Sequence, residues 1–375
     1  VLTMSQRGTF NAITVYPGRE LDSNYSMNTV DLCPVGALTS KDFRFKMRVW
    51  FLKETKTIDV DCGTGTNITL WTREDKVYRI TPRQNDAVNS CWMPDSHRLN
   101  YKYINAETRI PQPVIRTDAE APHRPSTWEP ALASAAEAVK RIAPNQLAII
   151  ASGRMTNEEL YMVRHLAAQI GTDMVDIVPR MGESDGMLIS ADRNPNTNGA
   201  RLVLGIEPGS RLDAIREGVR SGSVKGILTL GEDLTSPEAG FTAEELDKLD
   251  YLFMTAHSAN ETARHADLVL PGVTYAEKFG TMINVTGRIQ RLNRAIQPIG
   301  YARDDWQIFR DITLLLGGNP ALKNFNSALD ILTAMSTEYG ALNGVSWGSI
   351  GDGGQPILET GVTIPVVERE KNQGR

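Results

Sequence analysis

Cysteine is the residue type in this chain best suited to chemistry, and it occurs at three positions, 33, 62 and 91. Cys33 directly precedes Pro34, within Leu32-Cys33-Pro34-Val35-Gly36-Ala37-Leu38. Proline after cysteine recurs in ferredoxin-type iron–sulfur sites: it removes a backbone donor and fixes the turn from which the thiolate points inward. On the dipeptide alone, a lone buried cysteine packed as a small hydrophobe is the commoner outcome. The five histidines, at 97, 123, 165, 257 and 265, include no two at the helical spacing that ligates a metal. No GxxxxGK[ST] loop and no strand-linked GxGxxG fingerprint occurs, and Gly205-Ile206-Glu207-Pro208-Gly209 reads as a turn rather than a phosphate cradle.

Composition narrows the setting. The net charge is -5, and basic residues form no stripe interleaved with aromatics, which excludes a nucleic-acid partner. No apolar run approaches the roughly 20 residues needed to span a bilayer, so no direct membrane insertion is expected. The opening VLTMSQRGTF lacks the apolar region of a signal peptide. Three cysteines make no disulfide framework, and a reducing compartment fits best. The start at Val1 and the abrupt first segment are read as a chain cut from a longer parent.

The elements that must position these residues fall into two styles. Residues 49–108 read as β, with a hairpin expected from Asn67–Thr72 and Lys76–Thr81 around Arg73–Asp75. Residues 110–127 carry Pro111, Pro113, Pro122 and Pro125, a stiff linker composition. Beyond it helix and strand alternate. Capping boxes are expected at Ser126-Thr127-Trp128-Glu129 and Thr156-Asn157-Glu158-Glu159. Strands are expected at Leu147–Ala151, Met174–Val178, Leu202–Leu204, Gly226–Leu230, Tyr251–Thr255 and Leu268–Leu270. Helices are expected at Leu212–Val219, near Pro237–Lys248, at Asp304–Leu316 and at Ser327–Thr337. Short apolar strands between amphipathic helices imply an α/β fold, a doubly wound and mostly parallel sheet, following the small β-rich subdomain. The tail is expected to be glycine-rich at Gly344–Gly354 and mobile at its polar end.

The stretch from Leu21 to Thr39, ending Val30-Asp31-Leu32-Cys33-Pro34-Val35-Gly36-Ala37-Leu38-Thr39, closely resembles the large iron–sulfur subunit family of respiratory NADH-quinone oxidoreductase, complex I. The resemblance implies that Cys33 is the fourth ligand of a [4Fe-4S] cluster whose other three cysteines lie upstream, in a segment this chain does not contain. Residues 55–103 resemble the iron–sulfur subdomain that opens molybdopterin oxidoreductases. That template places ligands at Asp59, Cys62, Thr66 and Pro94, so one thiol of four remains and the second site is expected to be empty. Cys62 and Cys91 are then expected to pack as ordinary buried cysteines. The molybdenum ligand position falls near Gly182, which offers no donor, and Ser184 is out of register, so no molybdenum cofactor is expected. Ala266–Gly272 and Glu277–Asn284 match the same superfamily and are expected as a strand, a glycine turn and a return strand of the scaffold.

Together these imply an electron-transfer subunit of NADH:quinone oxidoreductase with no catalytic residue of its own. Cys33 is the one cofactor and metal ligand, and the flavin/NADH-binding and other iron–sulfur subunits of the peripheral arm are its partners. The implied location is cytoplasmic, peripheral on the inner membrane through those partners. The implied organisation is 1–48 as the end of a ferredoxin-like region and 49–109 as a degenerate 4Fe-4S subdomain. Residues 110–127 follow as linker, 128–322 as the molybdopterin oxidoreductase-like α/β domain and 323–375 as a helical, glycine-rich tail. The alternative is a molybdopterin-dependent oxidoreductase such as a formate dehydrogenase catalytic subunit.

Overall fold

The computed structural model describes residues 1–6, 8–116 and 121–372; of the polar end expected to be mobile, Glu368–Asn372 are helical instead, while positions 373–375 and 117–120 of the Pro-rich segment lie outside the described residues. The chain opens on an antiparallel ribbon of β1 (Leu2–Ser5) and β2 (Ala12–Val15), followed by the short helix α1 (Asn28–Leu32). This region leaves Phe10, Leu32, Val35, Phe45 and Trp50 exposed.

The β-rich part is an antiparallel sheet in the order β3 (Lys53–Ile58), β4 (Asn67–Arg73), β5 (Lys76–Pro82). Glu74 and Asp75 make the β4–β5 turn, both at positive φ (51° and 55°), the handedness that a tightly twisted two-residue hairpin requires. The short helix α2 (Asp95–Arg98) follows. One face of the sheet, with Ile68, Leu70 and Ile80, packs against Tyr275, Met282, Leu292 and Ile296 from much later in the chain. Its core is therefore built jointly with the α/β part.

The Pro-rich segment does not run free. β6 (Val114–Ile115) and β7 (Arg124–Pro125) pair antiparallel and extend the main sheet at its edge, where proline's missing donor is tolerated. After α3 (Trp128–Arg141) come β8 (Leu147–Ala151), α4 (Asn157–Ile170), β9 (Val175–Ile177), α5 (Thr197–Leu204), α6 (Leu212–Ser221) and β10 (Gly226–Leu230). Then follow α7 (Ala243–Leu246), β11 (Tyr251–Ala256), α8 (Glu261–His265) and β12 (Leu268–Pro271). The seven-stranded sheet runs β7-β6-β12-β11-β10-β8-β9, with β12 through β9 all parallel. Leu147, Ile149, Leu228 and Phe253 point to one apolar layer, with α3, α4 and α9 (Asp305–Leu315). Ala148, Ile150, Ile227 and Leu252 point to the other, with α6 and α8. Burial on both faces is what makes these strands continuous apolar runs.

Between β12 and α9, β13 (Gly280–Ile283) and β14 (Arg288–Leu292) form a hairpin. The chain ends with α10 (Ala328–Glu338), α11 (Trp347–Ile350), β15 (Gln355–Pro356), which adds to β14, and α12 (Pro365–Asn372). The Thr156 box forms: Thr156 Oγ accepts from the Glu159 N–H at 3.2 Å and the Glu159 carboxylate accepts from the Thr156 N–H at 2.8 Å. α4 then stops at Gly171, left-handed at φ 80°.

Several local expectations are corrected. Leu202–Leu204 is not a strand but the last turn of α5, stopped by left-handed Gly205; three apolar residues do not distinguish helix from strand. Ser126 caps nothing: the N-cap is Thr127, and the Ser126 hydroxyl donates to the Thr127 carbonyl instead. The helix near Pro237–Lys248 shrinks to α7 because Thr242, capped with Glu245, starts it late. Ala266–Asn284 does not return within one sheet; β12 joins the parallel sheet and β13 leaves it for the β13–β14–β15 sheet.

Candidate metal sites

Cys33 caps α1 at its C-terminus, in the extended conformation (φ -78°, ψ 104°) that a residue before proline favours. Gly36, left-handed at φ 65°, reverses the chain after Pro34. The reversal turns backbone N–H groups onto the sulfur. The amide of Leu38, then those of Val35, Ala37 and Gly36, hold the thiol below its ordinary range. α1 is riveted to α2 and the loop before it. Buried Asn28 donates to the Met93 carbonyl at 2.8 Å and accepts the Met93 N–H at 3.1 Å. Asp31 pairs with Arg98 at 2.7 Å, and the Asp95 carboxylate accepts from Ser26 Oγ at 2.7 Å. Beside Cys33 opens a cleft of about 380 Å³, lined largely by apolar side chains such as Val30, Leu38, Phe43 and Met47.

The four template positions around Cys62 offer one thiol, one carboxylate, one hydroxyl and a proline. Cys62 is buried with its Sγ toward the Leu188 carbonyl at 3.9 Å, and burial, then the Asp59 carboxylate, pushes its thiol up to about 11. Thr66 is buried and Pro94 is the N-cap of α2. A cubane cluster does not fit this donor set. Cys91, expected to be buried, is exposed; Ser90, at φ 50° closing the Asn85–Ser90 bridge, turns it outward. All three cysteines are free.

Instead Asp59 meets a residue not singled out from the sequence. Past the end of β3, the Asp59 N–H bonds the Thr66 carbonyl at 2.8 Å, closing the loop so that its carboxylate reaches His97 of α2, with Oδ2 to Nδ1 at 2.6 Å. Asp61 joins them: the ligand atoms of Asp59, Asp61 and His97 all lie within 4.8 Å of one another. Burial, then Asp59, pushes the Asp61 carboxyl up to about 7. Burial alone would lower the His97 pKa, but the adjacent Asp59 outweighs it and holds the imidazole raised. The sequence signal was slight: a D-x-D after a strand, with the histidine far downstream.

The molybdenum position does not fit its metal. Gly182 has no donor, and a Cβ built there would meet Arg193 Nε at 2.6 Å, so no side-chain ligand enters without displacing that guanidinium. The neighbouring cleft of about 480 Å³ includes Arg180 and Arg201, already paired with Glu232 and Glu207. A cavity of about 80 Å³ near the C-terminal ends of β8, β10 and β11, with Arg154, His257, Lys278 and Asp305 in its lining, is far smaller than the 300–1,000 Å³ typical of cofactor clefts. There Lys278 is buried against both Glu159 oxygens at 2.8 Å. Burial, reinforced by Arg109, drives His257 down to about 4. His265 bonds Asp247 rather than His257. Glu207, in the Gly205–Gly209 turn, is held by Arg201.

Three family models match parts of the chain. Residues 1–39 match the family model described as NADH-quinone oxidoreductase subunit 3, ferredoxin-like domain. Residues 52–102 match that of NADH-ubiquinone oxidoreductase NDSU1/NuoG-like, 4Fe-4S domain, and 186–313 that of molybdopterin oxidoreductase. The mitochondrial 78 kDa subunit of NADH-ubiquinone oxidoreductase from Neurospora crassa is 27% identical over 83% of this chain and 58% of its own length. The bacterial counterpart from Rickettsia felis, the G-type subunit of NADH-quinone oxidoreductase, is 26% identical over 82% of this chain and 62% of its own. The chain thus spans about three-fifths of the curated relatives it matches. Acetylene hydratase from Pelobacter acetylenicus shares the fold, with a TM-score of 0.56 and 11% identity over 79% of this chain and 73% of that one. The chain is a homologue of the bacterial G-type and mitochondrial 78 kDa subunits of NADH-quinone oxidoreductase, with two iron–sulfur-type regions ahead of an α/β unit of the molybdopterin oxidoreductase type.

Proposed function

We propose that this chain is part of the electron-transfer subunit of a respiratory NADH:quinone oxidoreductase, with Cys33 one of four ligands to a [4Fe-4S] cluster. When bound, such a cluster supplies a one-electron site between donor and acceptor. The observation that carries the reading is the Cys33 thiol under the amides of Val35–Leu38, beside an apolar cleft, inside a ferredoxin-like match. The amides hold negative charge on sulfur, and the α1–α2 rivets fix its direction. Residues 1–48 then close a ferredoxin-like region and 49–109 form the degenerate 4Fe-4S subdomain. The 110–127 segment joins these to the α/β domain at 128–322 and the tail at 323–375, which scaffold the peripheral arm. The flavin/NADH-binding and other iron–sulfur subunits are its partners there. No described helix is long and apolar enough to cross a membrane, so attachment on the cytoplasmic face of the inner membrane goes through those subunits.

The test is Cys33→Ser in the intact complex, read by low-temperature EPR of the reduced enzyme. One [4Fe-4S] signal is expected to vanish or shift, and an unchanged set of signals rejects Cys33 as a ligand. The molybdopterin-dependent alternative finds no support at Gly182; stoichiometric molybdenum or tungsten in the purified complex would revive it.

A further inference from the structure

The cluster of Asp59, Asp61 and His97 plays no part in the reading built on Cys33. We propose that it is a mononuclear site for one divalent first-row transition ion, with two carboxylate oxygens and one imidazole nitrogen as ligands. Two independent observations carry it. Geometrically, the three ligand atoms lie within 4.8 Å of one another, brought in from the loop after β3 and from α2. Separately, residues 52–102 match a family described as a 4Fe-4S domain, and the resemblance of residues 55–103 to a four-cysteine template implies that Asp59 takes its first ligand position. The proposed donors thus lie in a segment whose family is described as metal-binding, with Asp59 at an implied ligand position and Asp61 and His97 as neighbours outside the template. Thiolates select iron–sulfur clusters, whereas imidazole and carboxylates suit single ions such as Zn²⁺ or Mn²⁺.

The surroundings fit a cation. Asp59 and His97 are buried, while Asp61 is partly open and gives an entry path. Asn100 Nδ2 donates to Asp61 Oδ1 at 2.8 Å and the Asp61 N–H to Asp59 Oδ1 at 3.4 Å, the outer contacts that orient ligating carboxylates. Arg154 and Arg193 are near enough to interact electrostatically with Asp61 and His97 respectively, yet neither hydrogen-bonds to either carboxylate among the described residues. Three protein ligands leave positions for water, as in open metal sites.

The test uses the full chain, stripped with a chelator and carrying Cys33→Ser and Cys91→Ser so that accessible thiols do not bind metal. Mn²⁺ is titrated by the loss of its free EPR signal, and Zn²⁺ by equilibrium dialysis with elemental analysis. One ion per chain is expected, with Asp61→Asn and His97→Gln each weakening binding at least tenfold. Asp61→Asn leaves the Asp59–His97 bond in place, so it keeps the test informative if His97→Gln fails to fold. Absence of binding at micromolar metal, or equal affinity in Asp61→Asn, overturns the proposal. So does metal that is lost with the Cys33 and Cys91 thiols and is indifferent to Asp61.

Discussion

Glu277→Leu tests what joins the β-rich part to the α/β part. Glu277 and Arg109 meet at 2.6 Å with side chains only 1% and 2% exposed. The guanidinium also donates to the carbonyls of His257 and Ile104, both at 2.9 Å. The carboxylate accepts from the Thr274 N–H at 2.7 Å, the Thr274 hydroxyl at 2.8 Å and the Ile299 N–H at 3.2 Å. Removing the carboxylate strands a buried positive charge, which costs about 3–5 kcal/mol. At about 1.3 °C per kcal/mol for a chain of 375 residues unfolding together, the unfolding midpoint drops by roughly 4–6 °C. Urea and thermal unfolding, followed by circular dichroism, measure both. The double variant Arg109→Met/Glu277→Leu removes both charges and should be more stable than Glu277→Leu alone. Losses that simply add in the double variant, or a single-variant loss below about 1 kcal/mol, would refute the buried-pair argument.

Three further outcomes are expected. Burial raises the Glu158 carboxyl from an ordinary 4.5 to about 7, so between those values the folded chain keeps a proton that the unfolded chain has released. Stability therefore falls as pH rises through this window, by about 3 kcal/mol, and Glu158→Gln should remove that fall in urea unfolding at low and neutral pH. Alkylation followed by peptide mass spectrometry should find Cys33 reacting at lower pH than an ordinary thiol, Cys91 accessible and Cys62 protected; comparable labelling of Cys62 in the folded chain would contradict its burial. Gly287→Ala should destabilise by about 2 kcal/mol or more, because Gly287 is left-handed at φ 79° and an added Cβ would lie 2.2 Å from the Leu358 carbonyl oxygen. A midpoint equal to the parent's would show that the β13–β14 turn relaxes freely.

The main sheet was legible because strands buried on both faces leave unbroken apolar runs, as at Leu147–Ala151 and Gly226–Leu230. α4 was legible for another reason: its capping box and terminal glycine mark both ends. Leu202–Leu204 was not, since its side chains obey the helix only in the company of Thr197–Arg201. The Cys-Pro step marked Cys33, but the amides over its sulfur depend on the φ of Gly36, which sequence leaves open. Asp59 and His97 are 38 positions apart and meet only because α2 folds against the end of β3, so no local spacing announced them. Cys91 turned outward through a backbone angle at Ser90 rather than through any hydropathy signal.

The joint core of the β3–β5 sheet bears on how such a protein changes over generations. Small metal-dependent domains unfold when their ligands are lost, so each lost thiol would be purged. Here Tyr275, Met282, Leu292 and Ile296 close the apolar face from outside the subdomain, supplying burial that a small metal-dependent domain lacks. Ligand positions can drift one at a time through intermediates that still fold, and a residue such as Asp59 becomes free to acquire new company.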